Sequence, residues 1–337
     1  VRITVLLGGT SSERDVSLAS GLRVVDALRS LGHAVTALDP AHGVLDDAAV
    51  RALTSGVRRA PPTPAALAAL DATALGPQLG THEAVCTADV VFNALHGGAG
   101  EDGTIQAILD AARVPYTGSN ALGSALAMDK DLAKALFRAA GVTTADWLMA
   151  PVDLDDAVRA LGLPMIVKPS KQGSTVGLTL VRDAAELPAA VALAFEHDDE
   201  VMLERFVPGR EFTVGILGDV ALPVGEIISQ NELYDYEAKY TPGMAREVFP
   251  ADLSTAATAD VQHQARRAFR ALKLRGYARI DFRMTADGTF YCLEANTNPG
   301  LTELSLIPQA AAADGISFPA LCERIATMAV PTIKEQS

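Results

Sequence analysis

Asp281 and Glu294 stand on either side of an Asp287-Gly288 dipeptide, and Asn296 follows two residues after Glu294. Ala278 to Met284 and Phe290 to Ala295 are apolar runs. Asp-Gly between such runs is the strongest short-range signal for a β-hairpin. With Asp287-Gly288 as a two-residue loop, Ala286 pairs with Thr289. Counting outward then sets Asp281 opposite Glu294 and Arg279 opposite Asn296. Side chains alternate along a strand, so Arg279, Asp281, Glu294 and Asn296 share one face. Ile280, Phe282, Leu293 and Ala295 take the other, toward the core. Carboxylates directly opposite each other weaken a sheet, and a hard cation removes that cost. Two carboxylates and an amide oxygen, completed by water and phosphate, suit Mg²⁺. The competing account is a solvated polar face with Arg279 balancing one acid.

Two glycine loops could also do chemistry. Lys168 ends an apolar run and Pro169-Ser170-Lys171-Gln172-Gly173-Ser174-Thr175-Val176-Gly177 follows. Such a loop can place N–H groups, hydroxyls and a lysine around phosphates. It is not a Walker A pattern and it joins two strands, so an ordinary polar hairpin turn competes equally. Gly8-Gly9-Thr10-Ser11-Ser12-Glu13 precedes a helix. Ser12 or Asp15 as a helix cap explains its polarity. Alternatively, Glu13 faces the cleft at the carboxyl ends of parallel strands, where open α/β sheets bind ligands, and meets a ligand ammonium. His96 stands at the next glycine turn on the same edge. GxGxxG is absent, which argues against a dinucleotide-dependent oxidoreductase.

The elements that must position these groups follow from the pattern. Ile3 to Leu7 is a buried strand, Glu13 to Leu31 a helix stopped by Gly32, and Ala34 to Leu38 and Val90 to Leu95 further strands. That alternation predicts an open α/β domain. Residues 43–85 are a surface excursion or edge helix with no chemistry. A boundary falls near Gly118. Helical segments over 121–140, strands at Met165 to Lys168, Leu178 to Val181 and Glu200 to Phe206, and a helix through Leu193 make a small α+β module. Beyond Pro208-Gly209 come strands, a tyrosine-rich loop at 234–240, a helix from Ser254 to Leu274, and the hairpin.

The chain has 337 residues, 49% of them hydrophobic, with a net charge of −13. That is ample for two or three buried cores. The acidic field argues against nucleic acid or an anionic membrane as partner, but local lysines can still hold a phosphate. The three cysteines, Cys86, Cys292 and Cys322, are widely spaced and are expected to be buried thiols of a reducing cytosol. No apolar run reaches membrane-spanning length, and the N-terminal segment is expected to be a strand and not a leader.

These segments together resemble the D-alanine–D-alanine ligases of the ATP-grasp superfamily. The matching stretches are LLGGTSSERDVSLASG (6–21), ALHGGAGEDGTIQ (94–106), PYTGSNALGSALAMDK (115–130), PMIVKPSKQGSTVG (164–177), EFTV (211–214), YDYEAKY (234–240), ARIDF (278–282) and LEANTNPGLTELSLIP (293–308). The resemblance implies an α/β (α+β) ATP-grasp fold: an N-terminal α/β substrate domain (1–118), and central (119–206) and C-terminal (207–337) ATP-grasp domains sandwiching ATP. It implies that Lys130 and Lys168 contact ATP phosphates under loop 170–177, and that Ser174 of that loop also binds ATP. Glu204 would accept from the adenine amino group, Arg205, Phe206 and Val207 would form the hinge beside the base, and Glu211 would hold the ribose. Asp281, Glu294 and Asn296 would bind two Mg²⁺ ions, with Mn²⁺ as a substitute, and a monovalent cation such as K⁺ would be a further cofactor. Glu13 would bind the ammonium of the first D-alanine, and His96 would be a further substrate-binding residue. Arg279 and the Gly300 N–H would stabilise the tetrahedral intermediate. Ser305 and Lys239 would bind the second D-alanine carboxylate, and Ser174 and Tyr240 would link to Glu13. Asn298 and Glu303-Leu304 depart mildly from the family pattern beside the second-substrate pocket, and Thr175 replaces a serine.

The activity implied is ATP-dependent formation of D-alanyl-D-alanine through an acylphosphate, for peptidoglycan precursors, in a cytoplasmic homodimer with loop 234–240 as lid. D-lactate or D-serine is the alternative acceptor, and Tyr240 speaks against D-lactate. A nucleotide-binding module without chemistry is a rival of another class.

Overall fold

The structure is a computed structural model, which describes residues 1–53, 62–72, 74–229 and 244–330. Loop 234–240, with Lys239 and Tyr240, lies outside the described residues.

The first sheet has the order β3-β2-β1-β4, from β1 (Arg2–Leu6), β2 (Ala34–Asp39), β3 (Gly43–Leu45) and β4 (Val90–Asn93). β1 pairs parallel with both β2 and β4. Ile3, Val5 and Leu6 are buried, as expected for a central parallel strand covered on both faces. The helix Arg14–Ser30 supplies one cover, burying Leu22, Val25 and Leu28. Neither Ser12 nor Asp15 caps it; its N-cap is Glu13, which makes no side-chain capping bond. Part of the 43–85 excursion becomes β3, an edge strand antiparallel to β2.

The second sheet is antiparallel, with the order β5-β8-β6-β7 from β5 (Trp147–Met149), β6 (Met165–Pro169), β7 (Thr179–Val181) and β8 (Val201–Arg205). The third contains β9 (Arg210–Leu217), β10 (Val220–Ala221), β11 (Gly225–Ser229), β12 (Ala245–Val248), β13 (Tyr277–Met284) and β14 (Phe290–Asn296). Its order is β12-β11-β9-β13-β14, with β10 added to β9.

Packing joins the first and third sheets, while the second has a core of its own through Met165, Val167, Val181 and Leu203. One core runs from β1 and β4 into the C-terminal helices through Leu301, Ile307, Leu321 and Ile325. A second places Phe212, Phe282 and Phe290 of the third sheet against Ala133 and Phe137 of the helix Lys130–Ala139. That helix therefore sits on the third sheet, with Lys130 lining the cleft between the second and third and Lys134 buried against β8. Among the described residues no helix is long and apolar enough to cross a membrane. Cys292 and Cys322 are buried and burial raises both thiols, Cys322 to about 12. Cys86 departs from the expectation and is exposed.

Candidate active site

β13 and β14 pair Arg279 with Asn296 and Asp281 with Glu294, the pairs expected from sequence. The route to them differs. Thr285 N–H donates to Thr289 O at 3.0 Å and Gly288 N–H to Thr285 O at 2.9 Å. The loop is therefore Ala286-Asp287-Gly288, three residues, with Gly288 at φ +86°. The inner pairs run Met284–Phe290, Arg283–Tyr291 and Phe282–Cys292, and a bulge between Asp281 and Phe282 restores the outer register. The extra residue in β14 is Leu293. A bulge residue sits beside its neighbour on one face, so Leu293 lines the cleft with Glu294 and does not enter the core. Cys292 takes the core position instead. Both backbone groups of Cys292 are engaged away from the hairpin: its N–H donates to Thr143 O at 2.8 Å, and its carbonyl accepts from Thr144 Oγ1 at 2.8 Å.

Asp281 is surrounded by donors. Arg279 Nε and Nη2 reach its carboxylate at 2.9–3.1 Å, Thr213 Oγ1 at 2.8 Å and Asn296 Nδ2 at 3.0 Å. Lys130 Nζ stands 3.6 Å from Glu294 Oε2. Two facing carboxylates and an adjacent amide form a hard-oxygen donor set that fits Mg²⁺. Ligation by Asn296 requires its amide turned so that Oδ1 faces the acids.

The helix Lys130–Ala139 is capped by Asp129, whose carboxylate accepts from Leu132 N–H at 3.1 Å. Lys130, Ala133, Lys134 and Phe137 form its buried stripe, at helical spacing. Lys130 Nζ donates to Gln172 O at 2.7 Å, tying it to the loop. Lys168 Nζ donates to Glu204 Oε2 at 2.5 Å, and Lys134 Nζ donates to Glu204 Oε1 and to Thr144 Oγ1 at 2.6 Å. Burial opposes the charge on Glu204, but Lys168 and Lys134 overcome that and hold its carboxyl down to about 2. Burial in turn pulls both Lys130 and Lys134 below the ordinary lysine value.

Lys130, Lys168, Ser174, Glu204, Arg205, Phe206, Val207 and Glu211 all line a single cleft, together with Asp281 and Glu294. Arg283 lines it as well, donating to Val207 O at 3.1 Å and reaching Glu211 Oε2 at 3.3 Å.

The first sheet delivers Glu13 to the mouth of this cleft. Ser174 Oγ donates to Glu13 Oε1 at 2.5 Å, bridging loop 170–177 to the N-terminal sheet. A Cβ on Gly97 would lie 2.9 Å from Glu13 Oε2, so glycine at φ +67° leaves the carboxylate its place. Gly300 and Ser305 are also neighbours: a Cβ on Gly300 would lie 2.8 Å from Ser305 Oγ. Ser305 Oγ accepts from Thr302 N–H at 3.0 Å.

His96 is placed differently from a substrate ligand. It is 4% exposed, with Nδ1 2.9 Å from Asn298 O and Nε2 3.0 Å from Ser20 Oγ. Ser20 Oγ accepts from Leu301 N–H at 3.1 Å. Both ring nitrogens thus brace the loop carrying Gly300. Asn298 is buried too, bonded to Leu95 O at 2.5 Å and to Tyr277 Oη at 2.6 Å, so it joins the N-terminal and third sheets.

Comparison with known proteins gives the family. The D-ala D-ala ligase N-terminus model matches residues 2–119 and the D-ala D-ala ligase C-terminus model residues 127–327. The chain belongs to the D-alanine–D-alanine ligase family. It is 41% identical to the D-alanine–D-alanine ligase of Dechloromonas aromatica, over 97% of each chain. It is 40% identical to that of Geobacter sulfurreducens, over 99% of this chain and 95% of the relative. The structure is similar to that of the Bacillus anthracis ligase complexed with ATP: TM-score 0.77, 30% identity, 98% of this chain and 96% of the other. The fold is the ATP-grasp fold of those ligases.

Against that family frame, Arg283, in the cleft wall, and Lys134, buried behind it on Glu204, are the residues that the sequence motifs missed. Lys134 follows Lys130 by one helical turn, a spacing that was legible. Arg283 continues the alternation of Arg279 and Asp281, and the same period would have found it.

Proposed function

We propose that this chain joins two D-alanine molecules into D-alanyl-D-alanine, with cleavage of ATP to ADP and phosphate. The observation that supports it is the continuity of the site: the Glu13–Ser174 bridge, the lysines and the facing carboxylates open on one cleft. In the first step a carboxylate oxygen of D-alanine attacks the γ-phosphorus and the bond to ADP breaks, giving an acylphosphate. Lys130 and Lys168 offset phosphate charge, and Glu13 holds the substrate ammonium. In the second step the neutral amine of another D-alanine attacks the acyl carbon. Arg279 and the Gly300 N–H receive the oxyanion, the amine loses a proton, and phosphate leaves. Asp281, Glu294 and Asn296 would hold Mg²⁺, which would neutralise charge at the phosphates. Ser305 orients the second carboxylate, and His96 supports Gly300 from behind. The corresponding domain limits are 1–118, 119–206 and 207–337.

The test is phosphate release from ATP with Mg²⁺, with and without D-alanine, and chromatography of the product. Release that requires D-alanine and yields the dipeptide is expected. No D-alanine-dependent release refutes the proposal.

A further inference from the structure

Arg283 is a buried cation with three partners on the nucleotide side of the cleft. It lies on β13 two residues from Asp281, on the same face, and its register partner on β9 is Glu211. Its Nε and Nη2 reach Glu211 Oε2 at 3.4 and 3.3 Å, and its Nη1 donates to Val207 O at 3.1 Å. Its guanidinium carbon lies 5.2 Å from the centre of the Phe206 ring. A guanidinium is planar and can serve several acceptors in one fixed fork, which an ammonium cannot. It therefore clamps the 206–207 hinge and the carboxylate of β9 to the strand that carries the proposed metal ligand. The strand rise sets Arg283 about 6.5 Å from Asp281 along β13.

We infer that Arg283 is a positioning residue for the nucleotide. By fixing the rotamer of Glu211, it sets the ribose subsite at a constant distance from the proposed metal carboxylates. It thereby favours ribonucleotides over analogues without ribose hydroxyls. The inference rests on the proposed ribose role of Glu211. It differs from a packing role because its loss must be felt more by nucleotides with hydroxyls to bind than by those without.

The experiment compares KM and kcat for ATP and 2′,3′-dideoxy-ATP in wild type, Arg283→Met, Arg283→Lys and Glu211→Gln, with melting temperatures for each. The wild type should favour ATP by about tenfold in KM, the scale of a hydrogen bond to a charged group. Arg283→Met should lose most of that preference, raising KM for ATP about fivefold more than it raises KM for the dideoxy analogue. Arg283→Lys should recover part of it, and it carries the test should the methionine variant fold poorly. A preference retained in Arg283→Met and Arg283→Lys, but lost in Glu211→Gln, overturns the inference alone. A preference retained in Glu211→Gln overturns the ribose role and this inference with it.

Discussion

Lys134→Met probes the buried charge cluster in the most direct way. Lys134 is fully buried, and methionine keeps most of its length while removing the ammonium. The Glu204 carboxyl is held at about 2 against an ordinary 4.5, in spite of burial. That difference favours the folded protein at neutral pH by on the order of 3 kcal/mol, offset in part by the burial that pulls Lys134 below its ordinary value. Because the folded value is depressed, the contribution is fully present above about pH 4.5 and drains away as pH falls toward 2. By pH 3.5 about 1 kcal/mol of it is gone. Without Lys134 only Lys168 faces Glu204, Thr144 loses its donor, and the carboxyl moves up toward or beyond its ordinary value. Breaking a buried pair costs about 3–5 kcal/mol, and the surviving lysine places this case near the lower end.

Trp147 offers the assay. It is the chain's single tryptophan, and its ring lies 5.1 Å from the Lys134 ammonium. Urea unfolding followed by its fluorescence should show a gap of about 3 kcal/mol between wild type and Lys134→Met at pH 7. The gap should narrow by about 1 kcal/mol at pH 3.5, where the wild type loses part of its advantage. A gap of equal size at both pH values would refute the electrostatic account and leave only packing.

Three further outcomes are expected. Asp281→Asn should lower kcat on the order of 100-fold and raise the Mg²⁺ concentration needed for activity; wild-type turnover at ordinary Mg²⁺ would exclude Asp281 as a ligand. Ser174→Ala removes the hydroxyl bonded to Glu13 and should raise KM for the first D-alanine about tenfold, more than it raises KM for ATP, in steady-state kinetics. Deleting Ala286 leaves Asp287-Gly288 as a two-residue turn between the same closing pair, Thr285 and Thr289. Activity should persist and stability change by no more than about 1 kcal/mol in urea unfolding; loss of activity would show that the three-residue loop sets the register.

That last variant bears on what the sequence could reveal. Counting from a two-residue loop places Asp281 opposite Glu294, and the structure has that pair, yet the loop holds three residues. The longer loop shifts the pairing by one, and the Leu293 bulge shifts it back. Strand alternation reports faces and cannot report a bulge. The bulge lies beside Thr143 and Thr144, which engage both backbone groups of Cys292 from far along the chain. No local count contains that contact. The same limit applies to Glu204. Its position at the end of β8 was legible, but its two lysine partners come from separate segments and meet only in the folded chain. His96 shows the reverse case: its place at a strand end was legible, while Ser20 and Asn298, which engage its ring, were not.

The bulge also changes what the hairpin can do. A regular ladder would alternate strictly, giving the cleft Glu294 and Asn296 and sending Leu293 to the core. With the bulge, Leu293 stands beside Glu294 on the cleft side. β14 thus presents an apolar wall and the proposed metal carboxylate at adjacent residues. β13 stays regular and presents Arg279, Asp281 and Arg283 at every second position, toward the proposed acyl-oxygen, metal and ribose sites in turn. A nucleotide needs an apolar surface for its base within reach of charge for its phosphates. One regular strand and one bulged strand meet both needs within a single hairpin, which two regular strands of this sequence could not.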